Sequence, residues 1–218
     1  MKKFFTSVPY QKSGELIKAI YRPVGNAKLV YEKAHSLPIL NAVNNFTEKG
    51  EEIEVIFIIG ENEDIKKNLG SVESSLDELV LERELKCRKK YIYYRDSDDI
   101  TVMLELYGNL IRCCDDDDEI YSCITYGTKP VPIVQMMAMR YAFHVKKNVY
   151  IGMIVYGKAH GNKQNEDSEK IFDIYDMTSL FYIDDLSEKF SRMAVKDPEK
   201  ILESLIFGQE GENDEELE

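Results

Sequence analysis

Six of the seven residues at positions 53–59 are apolar, and Gly60 stops the run. A strand with one wet face alternates apolar and polar residues. A run apolar on both faces has to be covered on both, which is the position of a strand inside a parallel sheet. Such a strand requires helices above and below it, so the flanking sequence is read for helices that return the chain to the same edge.

Short apolar stretches and segments of helical spacing do alternate along the chain. KKFFTSV reads as a strand and breaks at PYQKSG. LIKAIYRP and KLVYEKA, joined by VGNA, predict a β-hairpin insertion after strand one, with Gly25 and Asn26 in the turn. SLPILNAVNNF predicts a helix with Ser36 as N-cap and Pro38 in its first turn. SVESSLDELVLERELKCR has helical spacing, KKYIYYRD reads as a strand, and DDITVMLELYGNLIRCC as a helix entered through Asp98 or Asp99. IYSCITYGT and VYIGMIVYG predict strands on either side of the helix KPVPIVQMMAMRYAFHV. A polar loop over 159–170 precedes two helical segments, around 180–193 and 198–207.

The expected class is therefore α/β: a Rossmann-like, mainly parallel sheet with helices on both faces and helices at the C-terminal end. One domain is expected over 1–207, with its helical part from about 171, and an acidic disordered tail over 208–218. No run approaches 18 apolar residues and no signal segment opens the chain, so a cytoplasmic protein with no membrane association is expected. Cys87, Cys113, Cys114 and Cys123 lack zinc-ligand spacing and read as reduced thiols.

A net charge of -12 argues against general DNA or RNA binding. The charge is not evenly distributed. Residues 120–165 contain no Asp or Glu although the chain has 40 in 218 residues; an even spread would put about eight there. The window carries Lys129, Arg140, Lys146, Lys147, Lys158 and Lys163. The first 33 residues carry Lys2, Lys3, Lys12, Lys18, Arg22, Lys28 and Lys33 against only Glu15 and Glu32. These two basic regions are expected to meet at the carboxyl ends of the strands, where open α/β sheets bind ligands.

Two strand ends there are small and polar. After strand one come Thr6, Ser7, Tyr10, Gln11 and Lys12. After the strand beginning near Ile120 come Thr125, Tyr126, Gly127, Thr128 and Lys129. Gly127 allows close backbone approach, Thr128 a hydroxyl, and Lys129 a charge where helix N–H groups are expected to be unpaired: an anion site. A plain strand-to-helix turn with a solvated lysine is the alternative. Tyr10 and Tyr126 are the tyrosines best placed to stack on bases.

Other motifs do not carry chemistry. GMIVYGKA from Gly152 nearly matches a phosphate loop, but Ala159 replaces the magnesium-binding Ser or Thr and its interior reads as a strand. No GxGxxG follows a strand. DDDDE at 115–119 reads as a solvated loop. His35, His144 and His160 are scattered, with His144 read as a core residue, and Met136, Met137 and Met139 read as helix core. No metal site and no cofactor are expected. Without a nucleophile–base set, cleavage at this site would need a substrate carrying its own nucleophile. RNA does: its 2′-hydroxyl attacks the adjacent phosphate when held in line. Ser7 or Thr6 would position the sugar and Lys129 would stabilise the developing charge.

TYGTKPVP leading into a long helix, followed by VYIGMIVYGK, resembles the CRISPR-associated Rossmann fold (CARF) domains of type III antiviral systems. KKFFTSVPY, LIKAIYRPVGNAKLVYEKA, SLPILNAVNNF, EVIFIIG and the late IFDIYDMTSL follow the same order of elements, to about residue 207. The resemblance implies a homodimer that binds a cyclic oligoadenylate, usually the tetra-adenylate, through Thr6, Ser7, Tyr10, Gly127, Thr128 and Lys129. Effector domains often attached in that family have no room after Lys158. Three roles follow: a metal-independent ring nuclease, a sensor regulating a separate effector protein, or the sensory part of a longer effector. A nucleotide-binding α/β protein outside defence is the remaining alternative.

Overall fold

A computed structural model of the chain describes residues 1–11, 16–159 and 170–208. It is an α/β structure with a seven-stranded, mostly parallel sheet of Rossmann-like order. The strands are β1 (Lys2–Ser7), β2 (Ile20–Val24), β3 (Glu52–Gly60), β4 (Lys86–Tyr94), β5 (Glu119–Cys123), β6 (Tyr150–Lys158) and β7 (Ile171–Asp176). Their order across the sheet is β2-β7-β6-β5-β1-β3-β4. After β1 the chain places β2 at one edge, comes back to lay β3 beside β1 and β4 outside it, returns to β5 on the other side of β1, and continues outward to β6. Strand order therefore reverses between β1 and β5, which lie parallel with Thr6 opposite Cys123. That junction is the switch point at which sheets of this kind open a crevice.

Helices α1 (Ile39–Phe46), α2 (Glu63–Glu82), α3 (Ile100–Ile111) and α4 (Pro130–Val145) return the chain between strands. The run 53–59 is buried throughout except at Glu54, as a doubly covered strand must be. On one face its odd-numbered residues join Phe4, Tyr121 and Val155 against Leu40 and Val43 of α1 and Val72, Leu76 and Leu79 of α2. On the other face α3 and α4 pack side by side, with Tyr107 edge-on to Tyr141. Asp99 caps α3, its Oδ1 accepting from the Thr101 N–H at 2.8 Å.

Several expectations are corrected. Among the described residues the expected hairpin shrinks to one antiparallel bridge, Ala19 to His35: β2 pairs in parallel with β7, and a single 3-10 turn at Ala27–Leu29 takes the place of the second strand. Gly25 does make the turn, with φ +84°. Pro38 rather than Ser36 precedes the first turn of α1, and α2 begins at Glu63, eight residues earlier than its apolar pattern suggested. Residues 171–176 are strand, not helix: β7 adds antiparallel to β6. The chain divides into two compact units, Met1–Met177 and Thr178–Glu218. The second holds α5 (Thr178–Met193) and α6 (Pro198–Phe207). Lys12, His160, Lys163, most of the 159–170 loop and the tail beyond 208 lie outside the described residues. Among the described residues no helix is long and apolar enough to cross a membrane.

Candidate functional site

The loops that follow β1 and β5 leave the sheet side by side. Ser7 ends β1 and turns its side chain to the α4 face. It is 2% exposed, and its hydroxyl has no hydrogen-bond partner among the described residues. A buried hydroxyl without a partner costs about 1–3 kcal/mol of desolvation, so this one is unusual in a core. Directly above it runs Gly127, with φ +103°. A Cβ at that position would stand 3.0 Å from Cβ of Val131 and 3.4 Å from the Ser7 hydroxyl oxygen. Glycine is required here twice over, by its dihedral and by its clearance, and the Ser7 hydroxyl beneath it is already enclosed.

The polypeptide from Gly127 to Lys129 is exposed, and none of its three N–H groups has an acceptor among the described residues. Successive unpaired N–H groups around a positive-φ residue form a concave donor site for an anion. Lys129 stands beside them, exposed and without an ion pair among the described residues. The helix itself contributes less than expected. Pro130 and Pro132 have no N–H, and the Val131 N–H donates to the Thr128 carbonyl at 2.9 Å. The donors are those of the turn rather than the unpaired helix N–H groups. Gln135 locks this corner down from α4: its Nε2 donates to the carbonyls of Cys123 at 3.2 Å and Phe5 at 3.5 Å, and to the Ser122 hydroxyl.

The other candidate residues have different surroundings. Thr6 is fully buried on the α1 face, and its hydroxyl donates to the Ser7 carbonyl at 3.4 Å. Tyr126 turns inward. Its hydroxyl donates to the Ser36 carbonyl at 3.0 Å, and since that uses its one proton, the 3.1 Å contact with Tyr21 must have Tyr21 as donor. Burial pushes the Tyr126 phenol up to about 12. Its hydroxyl anchors the turn. Tyr10 is half exposed, and the loop it belongs to is pinned by Asn68 of α2, which donates to the Pro9 and Gln11 carbonyls at 2.9 and 3.4 Å. The Gln11 side chain accepts from the Ile17 N–H.

The Thr128 hydroxyl donates to Asp98 at 2.6 Å. Sequence spacing gave no sign of this carboxylate, which arrives from the β4–α3 loop 30 residues away. The acid-free window is thus acid-free in sequence only.

The gathering of basic residues is likewise corrected. Lys2 and Lys3 lie at the amino end of β1, the opposite edge of the sheet, and pair with Glu51 and with Asp115 and Asp118. Lys33 pairs with Glu82 at the end of α2. Lys146 and Lys147 follow α4, at the same far edge. Lys129 and Lys158 are the two from the window that stand at carboxyl ends among the described residues. Asp118 of the DDDDE stretch is not solvated: it is 2% exposed and its carboxylate meets buried Lys3 at 2.8 Å. His144 and Met137 are exposed rather than core, because they fall on the outer side of α4.

The chain matches no family model and no curated protein.

Proposed function

We propose that the turn at 127–129 and Ser7 bind a phosphate of a cyclic oligoadenylate, most simply the tetra-adenylate, in type III CRISPR antiviral signalling in the cytoplasm. The observation that carries this is the buried Ser7 hydroxyl, unpartnered beneath a glycine turn whose own N–H groups are unpaired. The oxygens of one phosphate accept from the exposed N–H groups, a small shift of the turn brings the enclosed Ser7 hydroxyl to them, and Lys129 neutralises the charge. The sequence resemblance described above supplies the identity of the ligand.

The chain acts as a homodimer, so that two such corners face one ring. Ile100 and Leu104 on α3, and Ile133 and Met137 on α4, support this: each is more than half exposed and each pair lies one turn apart, at the ligand end of its helix. Cleavage of the ring needs only geometry and charge. The 2′-hydroxyl oxygen bonds to phosphorus and releases its proton to solvent, the bond from phosphorus to the 5′-oxygen breaks, and the 5′-oxygen takes up a proton from solvent, leaving a 2′,3′-cyclic phosphate. Lys129 stabilises the charge on the five-coordinate phosphorus.

A second reading is a sensor that binds without cutting and regulates a separate effector. It is favoured by Thr6, whose hydroxyl is enclosed and committed to the Ser7 carbonyl, which leaves Ser7 alone to position the sugar. Incubating the purified chain with radiolabelled cyclic tetra-adenylate in EDTA distinguishes the two. Linear product ending in a cyclic phosphate supports the nuclease, bound ring without product supports the sensor, and neither binding nor product contradicts both.

A further inference from the structure

The β4–α3 loop is held rigidly where it approaches the turn. The Ser97 N–H donates to the Arg95 carbonyl at 2.7 Å, the Ser97 hydroxyl accepts from the Asp99 N–H at 3.2 Å, and Asp99 caps α3. Asn62, the N-cap of α2, donates to Asp96 at 2.9 Å and ties the loop to the end of β3. Asp98 lies between these fixed points, and its carboxylate receives the Thr128 hydroxyl. An ionised carboxylate accepts at about four lone-pair positions, and Thr128 occupies one. The carboxyl edge of the sheet is therefore two-sided. Toward β5 and β6 it offers donors and the cations Lys129 and Lys158, and toward β3 and β4 it offers the acceptors Glu61, Asp96 and Asp98.

We infer that Asp98 is a specificity-determining residue, which selects ligands carrying a hydrogen-bond donor next to their phosphate, such as a ribose hydroxyl or an amino group, and rejects bare phosphate. The carboxylate sits one side chain away from the anion-binding N–H groups. A phosphate with nothing to donate meets it as a like charge, whereas a ribose hydroxyl converts the same carboxylate into an acceptor. The exposed N–H groups of residues 127–129 fix the phosphate end, so the donor end of the ligand is directed to Asp98. A carboxylate that only joins two loops would contribute to stability and not to discrimination.

This inference rests on the phosphate reading of the 127–129 turn, and the experiment separates the two. Affinities for cyclic tetra-adenylate, its 2′-deoxy counterpart and inorganic pyrophosphate are measured for the wild-type chain, Asp98→Asn and Lys129→Ala. The wild type is expected to prefer the ribose ring about tenfold. Asp98→Asn is expected to lose most of that preference and to bind pyrophosphate about threefold more tightly, as removal of an exposed like charge allows. An unchanged preference in Asp98→Asn, with Lys129→Ala weakening every ligand, overturns the role of Asp98 alone. If Lys129→Ala changes nothing, or the wild type binds none of the three, the phosphate reading falls and this inference with it.

Discussion

Ser7 and Gly127 meet across the β1–β5 junction, with 3.4 Å between the Ser7 hydroxyl oxygen and the place a Cβ on Gly127 would occupy. One residue ends the first strand and the other turns the chain into α4. Their meeting follows from the parallel pairing of β1 with β5. Ser7→Ala is expected to leave stability unchanged or raise it by up to about 1 kcal/mol, because it removes a buried hydroxyl that has no partner. The same change should weaken ring binding about tenfold. Chemical denaturation and a binding titration on one preparation check both, and a loss of stability without a loss of affinity would make Ser7 a packing residue.

Gly127→Ala should abolish binding and destabilise the fold by about 1–2 kcal/mol, since alanine is strained at φ +103° and its Cβ would lie 3.0 Å from Val131. Denaturant midpoints, together with binding measured well below them, separate the two effects.

Tyr126→Phe should cost about 1–2 kcal/mol of stability, because the Ser36 carbonyl and the Tyr21 hydroxyl both lose their partner. Ring affinity should stay within about twofold. A tyrosine that stacked on a base through its ring face would also survive this change, so Tyr126→Leu is the informative companion: it should damage stability further and affinity only in proportion.

Lys3→Met leaves Asp118 buried without its main counter-ion and should destabilise the chain by about 3–5 kcal/mol. Burial lowers the Lys3 pKa, but its hydrogen bonds to Asp115 and Asp118 outweigh that and raise it overall. Its contribution is therefore complete below pH 10.5 and lost as pH rises through the higher folded value. The Asp115 carboxyl is held below 3.8, chiefly by its hydrogen bond to Lys3, so its contribution is lost only as pH falls through the lower folded value. Thermal melts of wild type and variant across the alkaline range should converge.

His35 is enclosed between Tyr21 and Tyr31, with ring centroids 5.0 and 5.3 Å away. Burial pushes its pKa down to about 4 from 6.5. The unfolded chain takes up the proton first, so stability is complete above pH 6.5 and declines as pH falls toward 4, by about 3 kcal/mol in all. His35→Phe should flatten that decline. An unchanged slope would mean that the ring is not enclosed in solution.

What could be read from the sequence follows its physics. The strand at 53–59, the Asp99 cap and the long helix after Lys129 rest on local patterns, and each lies where it was expected. The switch point was also legible, because strand and helix alternation fixes which strand ends are neighbours. β7 was missed because IFDIYD mixes acids with apolar residues, as an antiparallel strand near an edge can. Lys2 and Lys3 differ from expectation for another reason: the direction of β1 places them at the far edge, and charge composition carries no strand direction. Asp98 reads in sequence only as a candidate helix entry beside Asp99, with no sign of a place at the site. Its approach to Thr128 depends on the path of a loop 30 residues earlier, and only tertiary structure supplies that.

The most direct test of the phosphate corner is the affinity of wild type and Lys129→Ala for labelled cyclic tetra-adenylate in EDTA. The wild-type chain should bind the ring, and the variant should bind it at least tenfold more weakly, the loss of one charge-assisted hydrogen bond of about 1.5–3 kcal/mol. Equal affinity in the two proteins, or no binding by the wild type, would contradict the assignment and leave the 127–129 turn as a strand-to-helix connection.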